Sequence, residues 1–501
     1  MKSRGVFALL LVVALPLGAF GAASSGASKV GRTHKVSPRI VMGPQAVPSG
    51  MATPSYGLFT CQVGLSAAVC YDPYQMRHAY NIDTLINAGY TGKGKTIVIV
   101  DAFQSPNIVQ QLNYYNTFYG LPSLNGLGGA PDPNLGTFTQ IAPDGLTPFD
   151  STDDNMVGWA EEISLDVLWA HAIAPGANIV LVLAKSNDDA DILSATQYAV
   201  NHNLGNVISQ SFGENESCVD SDLLAAEHRL FAKATLKHIT LLASSGDEGA
   251  AQATCDGSSW VRAASSPASD PLVTGVGGTE LHAAGYCLTQ LGCDPTTNPA
   301  AGTYQSEIAW NEFDSAIATG GGLSVLYRTP LYQLGTVPGL KHRGVPDVAY
   351  SAAVEHGVLT YLNIPGLPVG MYLFGGTSAG SPQWAGIVAI ADQKANRGLG
   401  FINSTLYLFS LFPPIYSTMF HDVTSGNNSV VEQDVNNNDV AVTGFTAKTK
   451  WDATTGLGSP FSDQIVNFLT LFCSDSDGNN AINNSDPGAS GHYGRHGMRA
   501  H

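Results

Sequence analysis

Basic side chains are scarce in this sequence. Its 501 residues contain 23 lysines and arginines against 40 aspartates and glutamates, which gives a formal net charge of −17 and a pI near 5.0. Nucleic-acid binding is disfavoured, because proteins that bind phosphates need a basic patch. The acidic excess has two interpretations: a solvated acidic surface, or tolerance of low pH, where protonated carboxylates no longer repel one another.

Long apolar runs are missing beyond the N-terminus. The run at residues 6–20 follows Lys2 and Arg4 and ends in small residues, which is the pattern of a secretory signal peptide. It is too short to favour a membrane span. We therefore predict a signal peptide at residues 1–23 and a soluble protein that is secreted to the extracellular space or the periplasm, without a membrane partner.

Cysteine is sparse, and no C-x-x-C spacing indicates a zinc site. The seven cysteines suit an oxidising compartment. Proximity in sequence suggests three pairs and leaves Cys473 over, although sequence alone does not fix the connectivity. The pairs that we expect are Cys61–Cys70, Cys218–Cys255 and Cys287–Cys293.

Three segments differ in composition. Residues 24–70 are rich in small residues and proline with little periodicity, which predicts a flexible leader or short propeptide. We expect structure to begin near Tyr71 and the folded catalytic domain to span residues 71–473. The tail at residues 474–501 is rich in Gly, Ser and Asn and is predicted to be disordered.

Strands and helices alternate within the folded domain. The β-branched run at residues 96–101 is typical of a strand buried in a parallel sheet. Further strands are predicted at 179–184, 207–211 and 239–244, with helices at 189–202 and 221–237. This order predicts an α/β fold with a doubly wound, mostly parallel sheet flanked by helices.

Small residues surround Ser378 in the sequence GGTSAGSP at residues 375–382. Apolar residues recur at helical spacing after it, from Trp384 to Ala391, so Ser378 lies near the first turn of a buried helix. Free N–H groups and a positive dipole end there suit a nucleophile whose product carries an oxyanion. The alternative is an N-capping serine after a glycine turn.

Two sets of carboxylates are candidates to act with Ser378. Glu162 and Asp166 are spaced i, i+4, which places both on one face of a helix, where a shared proton would relieve their repulsion. Glu161 points about a third of a turn away. Asp247 follows a predicted strand, and a neutral carboxyl there could donate to an oxyanion. A solvated helix face and a turn-forming aspartate are the other interpretations.

These motifs together resemble the sedolisin, or serine-carboxyl peptidase, family. The resemblance is carried by EISLD at 162–166, APGA at 174–177, SGD at 245–247 and GTSAGSP at 376–382, and it extends through IVDA at 99–102, VGGT at 276–279, GGGLS at 320–324 and WDATTGLG at 451–458. Each motif alone is weak, and their shared order covers roughly residues 71–470.

The resemblance implies a subtilisin-like fold and an acid-acting endopeptidase. Ser378 would be the nucleophile, Glu162 its base and Asp166 the partner that orients Glu162 and shares its proton. Asp247 would be the protonated oxyanion donor. Carboxylates replace histidine because an imidazole base would already be protonated in acid. We expect polypeptide substrates and a monomer; the sequence does not set the cleavage preference or separate an endopeptidase from a tripeptidyl-peptidase.

The sequence departs from the family at two places. Family members usually carry a long inhibitory prodomain, whereas only residues 24–70 separate the signal peptide from Tyr71 here. The family's calcium site, in a C-terminal loop, maps onto Asp422, the carbonyl of Val423, and Asp452. The family typically has glycines where this chain has Lys448 and Lys450, whose carbonyls could still bind one structural calcium ion.

Three other functions compete with this one. A subtilisin would combine Asp101 with a histidine, but His356-Gly357 lacks the rest of the subtilisin motif. The G-x-S-x-G pattern at 376–380 also matches the nucleophile elbow of α/β-hydrolase esterases, which need Asp and then His after the serine. His421 and Asp422 have the reverse order. A secreted binding protein on an inactive peptidase scaffold is the non-enzyme alternative.

Overall fold

An eight-stranded sheet forms the centre of the fold. It is seen in a computed structural model that describes residues 35–53, 55–286, 301–337 and 339–472. Its strands, in chain order, are β1 (Thr96–Ala102), β2 (Phe138–Ile141), β3 (Asn178–Ala184), β4 (Val207–Gln210), β5 (Thr240–Ser244), β6 (Thr274–Ala283), β7 (Tyr304–Ala309) and β8 (Val348–Ser351).

Strand β1 lies inside this sheet. The order of hydrogen-bonded neighbours is β7-β6-β5-β4-β1-β3-β2, and β8 pairs with β6. All of these pairs are parallel except β6 with β7. A parallel strand that is covered on both faces needs apolar residues at nearly every position, which explains the continuous apolar run of β1.

Eleven α-helices lie within the described part of the chain, and the longer ones cover the sheet. They are α1 (Pro73–Ala79), α2 (Ile82–Asn87), α3 (Ile108–Tyr119), α4 (Asp154–Ile173), α5 (Asp189–His202), α6 (Ser221–Leu236), α7 (Leu331–Leu334), α8 (Gly380–Ala395), α9 (Asn403–Ser410), α10 (Pro413–Met419) and α11 (Ser462–Phe472).

The two faces of β1 enter different hydrophobic cores. Ile97 and Ile99 belong to the larger core, together with apolar side chains of α4 and α8. Val98 and Val100 belong to a second core that includes side chains of α5 and α6. Alternate residues of a strand point to opposite faces, so helices cover both sides of the sheet. The predicted doubly wound, subtilisin-like α/β fold is confirmed.

Smaller sheets surround the central one. A four-stranded sheet has the order Val41–Gln45, Gly370–Gly375, His356–Leu362, Val69–Tyr71, and a three-stranded sheet has the order Ser37–Pro38, Phe212–Asn215, Ser265–Ser266. The remaining strands form pairs: Pro48–Ala52 with Gly57–Phe59, Ala251–Ala253 with Trp260–Arg262, Asn311–Glu312 with Ile317–Ala318, Gly322–Arg328 with His342–Val345, Phe420–His421 with Ser459–Pro460, and Val430–Gln433 with Asp439–Val442.

The folded structure begins well before Tyr71. Strands start at Ser37, and the segment up to residue 71 contains five of them. The partners of the first two strands, at residues 212–213 and 370–375, are distant in sequence, so no local periodicity marks these two strands. The expected flexible leader is therefore corrected to a paired segment from Ser37, whereas removal of part of residues 24–70 stays a prediction.

Two of the three expected disulfides are confirmed, Cys61–Cys70 and Cys218–Cys255. The expected pair Cys287–Cys293, the leftover Cys473, the signal peptide at 1–23 and the tail at 474–501 lie outside the described residues. Within the described ranges, no helix combines the length and the apolar character that a bilayer crossing requires.

Candidate active site

Helix α4 carries Glu162 and Asp166 into the protein interior. Asp153 caps its N-terminus by accepting hydrogen bonds from the N–H groups of Asn155 and Met156. Both carboxyl side chains are fully buried, one turn apart, among apolar neighbours on the same helix. Glu161 lies on a more exposed face, as expected from its position on the helix.

Ser378 faces Glu162 across the interior. It lies in the 3-10 turn Thr377–Ala379, directly before α8, and is completely buried. Its Oγ donates a hydrogen bond of 3.0 Å to Oε2 of Glu162 and lies 3.3 Å from the carbonyl oxygen of Ser211. A hydroxyl that donates to a carboxylate is oriented for transfer of its proton to that carboxylate.

The two carboxyl groups on α4 lie close enough for each to affect the protonation of the other. A hydrogen bond between them would need a proton on one of them, since two ionised carboxylates can only accept. Asp166 Oδ1 accepts a hydrogen bond of 2.9 Å from Ser211 Oγ. Burial, followed by the charges of Asp166 and Asp101, raises the pKa of Glu162 well above its usual range, and burial raises the pKa of Asp166 to about 7.

Asp101 joins this pair as a third carboxyl group. It lies near the carboxyl end of β1, it is completely buried, and neither of its oxygens has a hydrogen-bond donor among the described residues. Burial and the charge of Asp166 raise its pKa well above the usual value. In the sequence, Asp101 is a candidate for a subtilisin triad and part of the IVDA motif, and a carboxylate at the end of a buried strand is a further signal for this position.

Asp247 lies on the other side of Ser378, just after β5. Its Oδ1 accepts hydrogen bonds from the N–H of Thr377 at 2.7 Å and from the Thr377 hydroxyl at 2.8 Å. Its Oδ2 has no partner among the described residues. Burial, and then the charge of Glu248, raise the pKa of Asp247 to about 8, so this carboxyl is neutral and able to donate in acid.

Gly376 separates Asp247 from the N-terminal segment. Its φ of +91° lies in the left-handed region that favours glycine. A Cβ built there would lie 2.5 Å from the carbonyl oxygen of Arg39 and 2.6 Å from Oδ2 of Asp247. Only glycine leaves this space open beside the serine.

The histidines that the competing functions need lie elsewhere. His171 Nε2 is 2.8 Å from the carbonyl oxygen of Pro122, and His421 packs between the rings of Tyr304 and Phe461. His356 lies beside Glu280. In the described part of the chain, the hydrogen-bond acceptors of Ser378 Oγ are Glu162 and Ser211, so the arrangement favours neither the subtilisin triad nor the esterase triad.

The residues predicted to bind calcium lie together. Asp422 accepts hydrogen bonds of 2.9 and 3.1 Å from the N–H of Lys450, and Asp452 accepts one of 2.9 Å from the N–H of Lys448. Val423 is buried beside Asp422, and both lysine side chains are exposed. Two carboxylates and three carbonyls are hard oxygen ligands, so the donor chemistry fits calcium, although the loop also closes on its own hydrogen bonds.

A different group of ligand atoms was not predicted. Glu280, His282 and His356 bring one carboxylate oxygen and two imidazole nitrogens within 4.8 Å of one another. Imidazole ligands suit zinc or copper better than calcium. This group is separate from the predicted calcium residues.

The fold and the site define a subtilisin-like α/β protein whose buried serine is paired with carboxyl groups. The chain is 29% identical to kumamolisin of Bacillus sp. (strain MN-32) over 422 residues, which cover 82% of this chain and 66% of that protein. It is 32% identical to sedolisin of Pseudomonas sp. (strain 101) over 384 residues, which cover 74% of this chain and 57% of that protein.

A solved structure agrees with these relatives. The complex of Pseudomonas sedolisin, a serine-carboxyl proteinase, with two molecules of pseudo-iodotyrostatin matches with a TM-score of 0.64 and 27% identity over 81% of this chain and 99% of that chain. The chain is thus similar to sedolisin in both sequence and fold. No protein-family model matches it. The chain spans 66% and 57% of the lengths of the two curated relatives described above.

Proposed function

We propose that this protein is an acid-acting serine-carboxyl endopeptidase with Ser378 as its nucleophile. The observation that carries this proposal is the hydrogen bond of 3.0 Å from Ser378 Oγ to Glu162, inside a buried carboxyl cluster. The similarity to Pseudomonas sedolisin, a serine-carboxyl proteinase, supports the same activity, and each predicted catalytic position holds the required side chain. A binding protein without activity would have no need for carboxyl groups buried against the serine at this cost in desolvation.

The first step forms an acyl-enzyme. Ser378 Oγ attacks the carbonyl carbon of the substrate while its proton moves to Glu162 Oε2. The oxyanion that develops would receive hydrogen bonds from the N–H of Ser378 and from the protonated Oδ2 of Asp247. The proton then passes from Glu162 to the leaving nitrogen, the C–N bond breaks, and an ester with Ser378 remains. Water hydrolyses this ester by the same steps in reverse.

Asp166 and Asp101 would act as positioning residues. They share protons with Glu162 and keep its carboxyl group aimed at the serine. In a buried cluster of this kind, the number of negative charges is smaller than the number of carboxyl groups, so at least one group carries a proton. Activity should decline as the pH rises through about 8, where Asp247 loses the proton that it must donate. In acid the rate should fall when the cluster takes up its last proton. The pH optimum therefore lies on the acid side of pH 8.

The test is the rate of hydrolysis of an unfolded protein between pH 3 and 9. Ser378→Ala should reduce the rate by at least about 10⁴-fold, because the acyl-enzyme cannot form. Ser381→Ala is the matched control: Ser381 is also buried, and its hydroxyl contacts Ser209 at 2.8 Å instead of the carboxyl cluster. Full activity of the Ser378→Ala protein would refute the proposal.

We also propose one structural calcium ion bound by Asp422, the carbonyls of Val423, Lys448 and Lys450, and Asp452. The ion would hold two loops together and would take no part in the reaction. Calcium should raise the melting temperature of protein treated with a chelator, and Asp422→Asn should reduce that increase. A melting temperature that a chelator leaves unchanged would argue against the site.

Secretion and the monomeric state complete the proposal. The two disulfides support an oxidising compartment. A reporter fused to residues 1–23 should be exported, and sedimentation should give the mass of one chain. Retention of the reporter inside the cell, or a stable dimer, would contradict these expectations. We expect polypeptides, and neither nucleic acid nor membrane, as partners.

A further inference from the structure

Residues 35–45 run directly past Ser378. Before this crossing, Ser37–Pro38 pairs antiparallel with Phe212–Asn215, with Ser37 opposite Gly213. After it, Val41–Gln45 pairs antiparallel with Gly370–Gly375, with Val41 opposite Gly375. The segment is thus an extended strand held by main-chain hydrogen bonds on both sides of the serine, which is how sheet edges bind peptides.

The crossing point is the carbonyl group of Arg39. Its oxygen accepts a hydrogen bond of 2.8 Å from the N–H of Ser378, and the N–H of Arg39 donates one of 3.1 Å to the carbonyl oxygen of Ser211. The same carbonyl oxygen borders the space at Gly376 that Oδ2 of Asp247 also borders. A substrate carbonyl would need these two donors when its oxygen becomes negative.

The side chain of Arg39 fills a pocket of matching chemistry. It is 4% exposed, and one guanidinium nitrogen donates to both oxygens of Glu248 at 2.8 and 2.6 Å. The second nitrogen donates to Gln252 at 3.1 Å and to Ser265 Oγ at 3.2 Å. The planar guanidinium group reaches three acceptors at once, which the single ammonium of lysine cannot do with the same geometry.

We propose that the Arg39–Ile40 peptide bond is a substrate of Ser378 in the same chain, and that Glu248 makes the enzyme prefer arginine on the acyl side of the bond it cuts. This inference rests on the proposed peptidase function and adds its specificity. Until this bond is cut, residues 35–45 occupy the place of a peptide substrate and block the site.

Ser378, Glu162 and a water molecule account for every bond and proton in this cleavage. Ser378 Oγ forms an ester with the carbonyl carbon of Arg39 as the bond to the nitrogen of Ile40 breaks. The serine proton reaches that nitrogen through Glu162. Water then hydrolyses the ester, which leaves a carboxylate on Arg39 and a new amino terminus at Ile40.

The fragment that ends at Arg39 has further contacts within the cleft. The N–H of Val36 donates to the carbonyl oxygen of Asn187 at 3.0 Å, and Asn187 Nδ2 donates to the carbonyl oxygen of Val36 at 2.8 Å. Lys35 lies 3.6 Å from Asp188. These contacts would keep the fragment bound as a product, so it should inhibit the enzyme until it dissociates.

The first arm of the test follows the chain's own cleavage. Wild-type protein and Ser378→Ala protein are incubated, and their amino termini are identified by sequencing and mass spectrometry. We expect Ile40 as a new terminus in the wild type and none in Ser378→Ala. Arg39→Ala should slow the appearance of that terminus by at least about tenfold, and Arg39→Lys should have an intermediate effect.

The second arm measures preference on separate peptides. Peptides with the sequence of residues 35–45 carry Arg, Lys, Leu or Glu at the position of Arg39. The wild type should cleave the Arg peptide with a kcat/KM at least about 100-fold above that for Leu. Glu248→Gln should reduce this ratio to within a few-fold of unity, whereas Glu355→Gln, an exposed glutamate, should keep it.

The two arms distinguish a failure of this inference from a failure of the proposed peptidase function. Cleavage of other peptides without an Ile40 terminus and without a preference for Arg would overturn the inference and leave the peptidase function intact. An equal Arg:Leu ratio in wild type and Glu248→Gln would overturn the role of Glu248. Absence of cleavage of every peptide would instead refute the proposed function. A thermal melt of each variant shows whether it is folded.

Discussion

Two groups of buried carboxylates in this molecule have opposite surroundings. Asp347 is fully buried and accepts hydrogen bonds from Arg343 at 2.8 and 2.5 Å, from the Tyr407 hydroxyl at 2.8 Å and from the N–H of Gly275 at 2.8 Å. Glu162, Asp166 and their neighbours around Ser378 are equally buried but have no guanidinium or ammonium partner in the described chain.

The difference shows that partners, more than burial, decide whether a buried carboxyl keeps its charge. Each oxygen of Asp347 meets a cationic donor, which offsets the loss of water. At the candidate active site, Glu162 Oε1, Asp166 Oδ2 and Asp247 Oδ2 have no donor among the described residues. Protons take the place of cations there, as the proposed transfer of a proton between Ser378 and Glu162 requires.

Removing the charge of Asp347, which is paired with Arg343, should have the largest effect on stability. Asp347→Asn leaves the buried guanidinium of Arg343 without its counter-charge, and removal of one partner of such a pair costs about 3–5 kcal/mol. Chemical denaturation monitored by fluorescence would measure the loss. An unfolding free energy within 1 kcal/mol of wild type, a change that is common for surface substitutions, would show that the charge of Asp347 is unimportant.

The carboxyls of the candidate active site should make the protein less stable as the pH rises. The pKa of Asp247 is about 8 in the folded protein against 3.8 for an ordinary aspartate. Between these values the folded state binds more protons than the unfolded state, so the free energy of unfolding falls as pH increases from about 4 to 8.

Asp247→Asn should reduce this pH dependence. The amide resembles the neutral acid, so the variant should match the wild type near pH 4 and exceed it near pH 8 by on the order of 2 kcal/mol. Denaturation curves at both pH values measure the difference. Parallel curves for the two proteins would show that Asp247 is ionised in the fold.

The smallest effect should come from the backbone conformation of Lys450, which lies beside a third carboxylate, Asp422. A substitution there tests backbone strain without changing the charge of the carboxylate. Lys450 has a φ of +63°, in the left-handed region, while its N–H donates to Asp422. Lys450→Gly keeps that hydrogen bond and should stabilise the protein by about 1 kcal/mol. Lys448 is not in that conformation, so Lys448→Gly should give no increase in melting temperature. Equal effects would contradict the strain argument.

Local patterns were sufficient to predict much of this molecule. Ser378, Glu162 and Asp247 lie in short motifs tied to single helices and strands, and the structure brings these residues together; their catalytic roles stay a prediction. The pattern at residues 76–88 predicts a single helix, but the chain forms two short helices there, α1 and α2, because Asn81 adopts a φ of +60° between them.

What the sequence could not reveal depends on distant partners. The strand at Ser37–Pro38 exists because residues 212–213 offer it an edge. The pocket for Arg39 combines Glu248, Gln252 and Ser265, more than 200 residues along the chain. Contacts of this kind leave no periodicity or spacing for a sequence argument to detect.

The burial of helix α4 also sets how often the backbone at the site opens to solvent. From Ile163 to Ile173 every residue of the helix is buried, within the larger core. Amide hydrogens in such a segment exchange with solvent only when the whole domain opens. Amide exchange at Glu162 and Asp166 should therefore be among the slowest in the protein, and thermal inactivation should coincide with global unfolding.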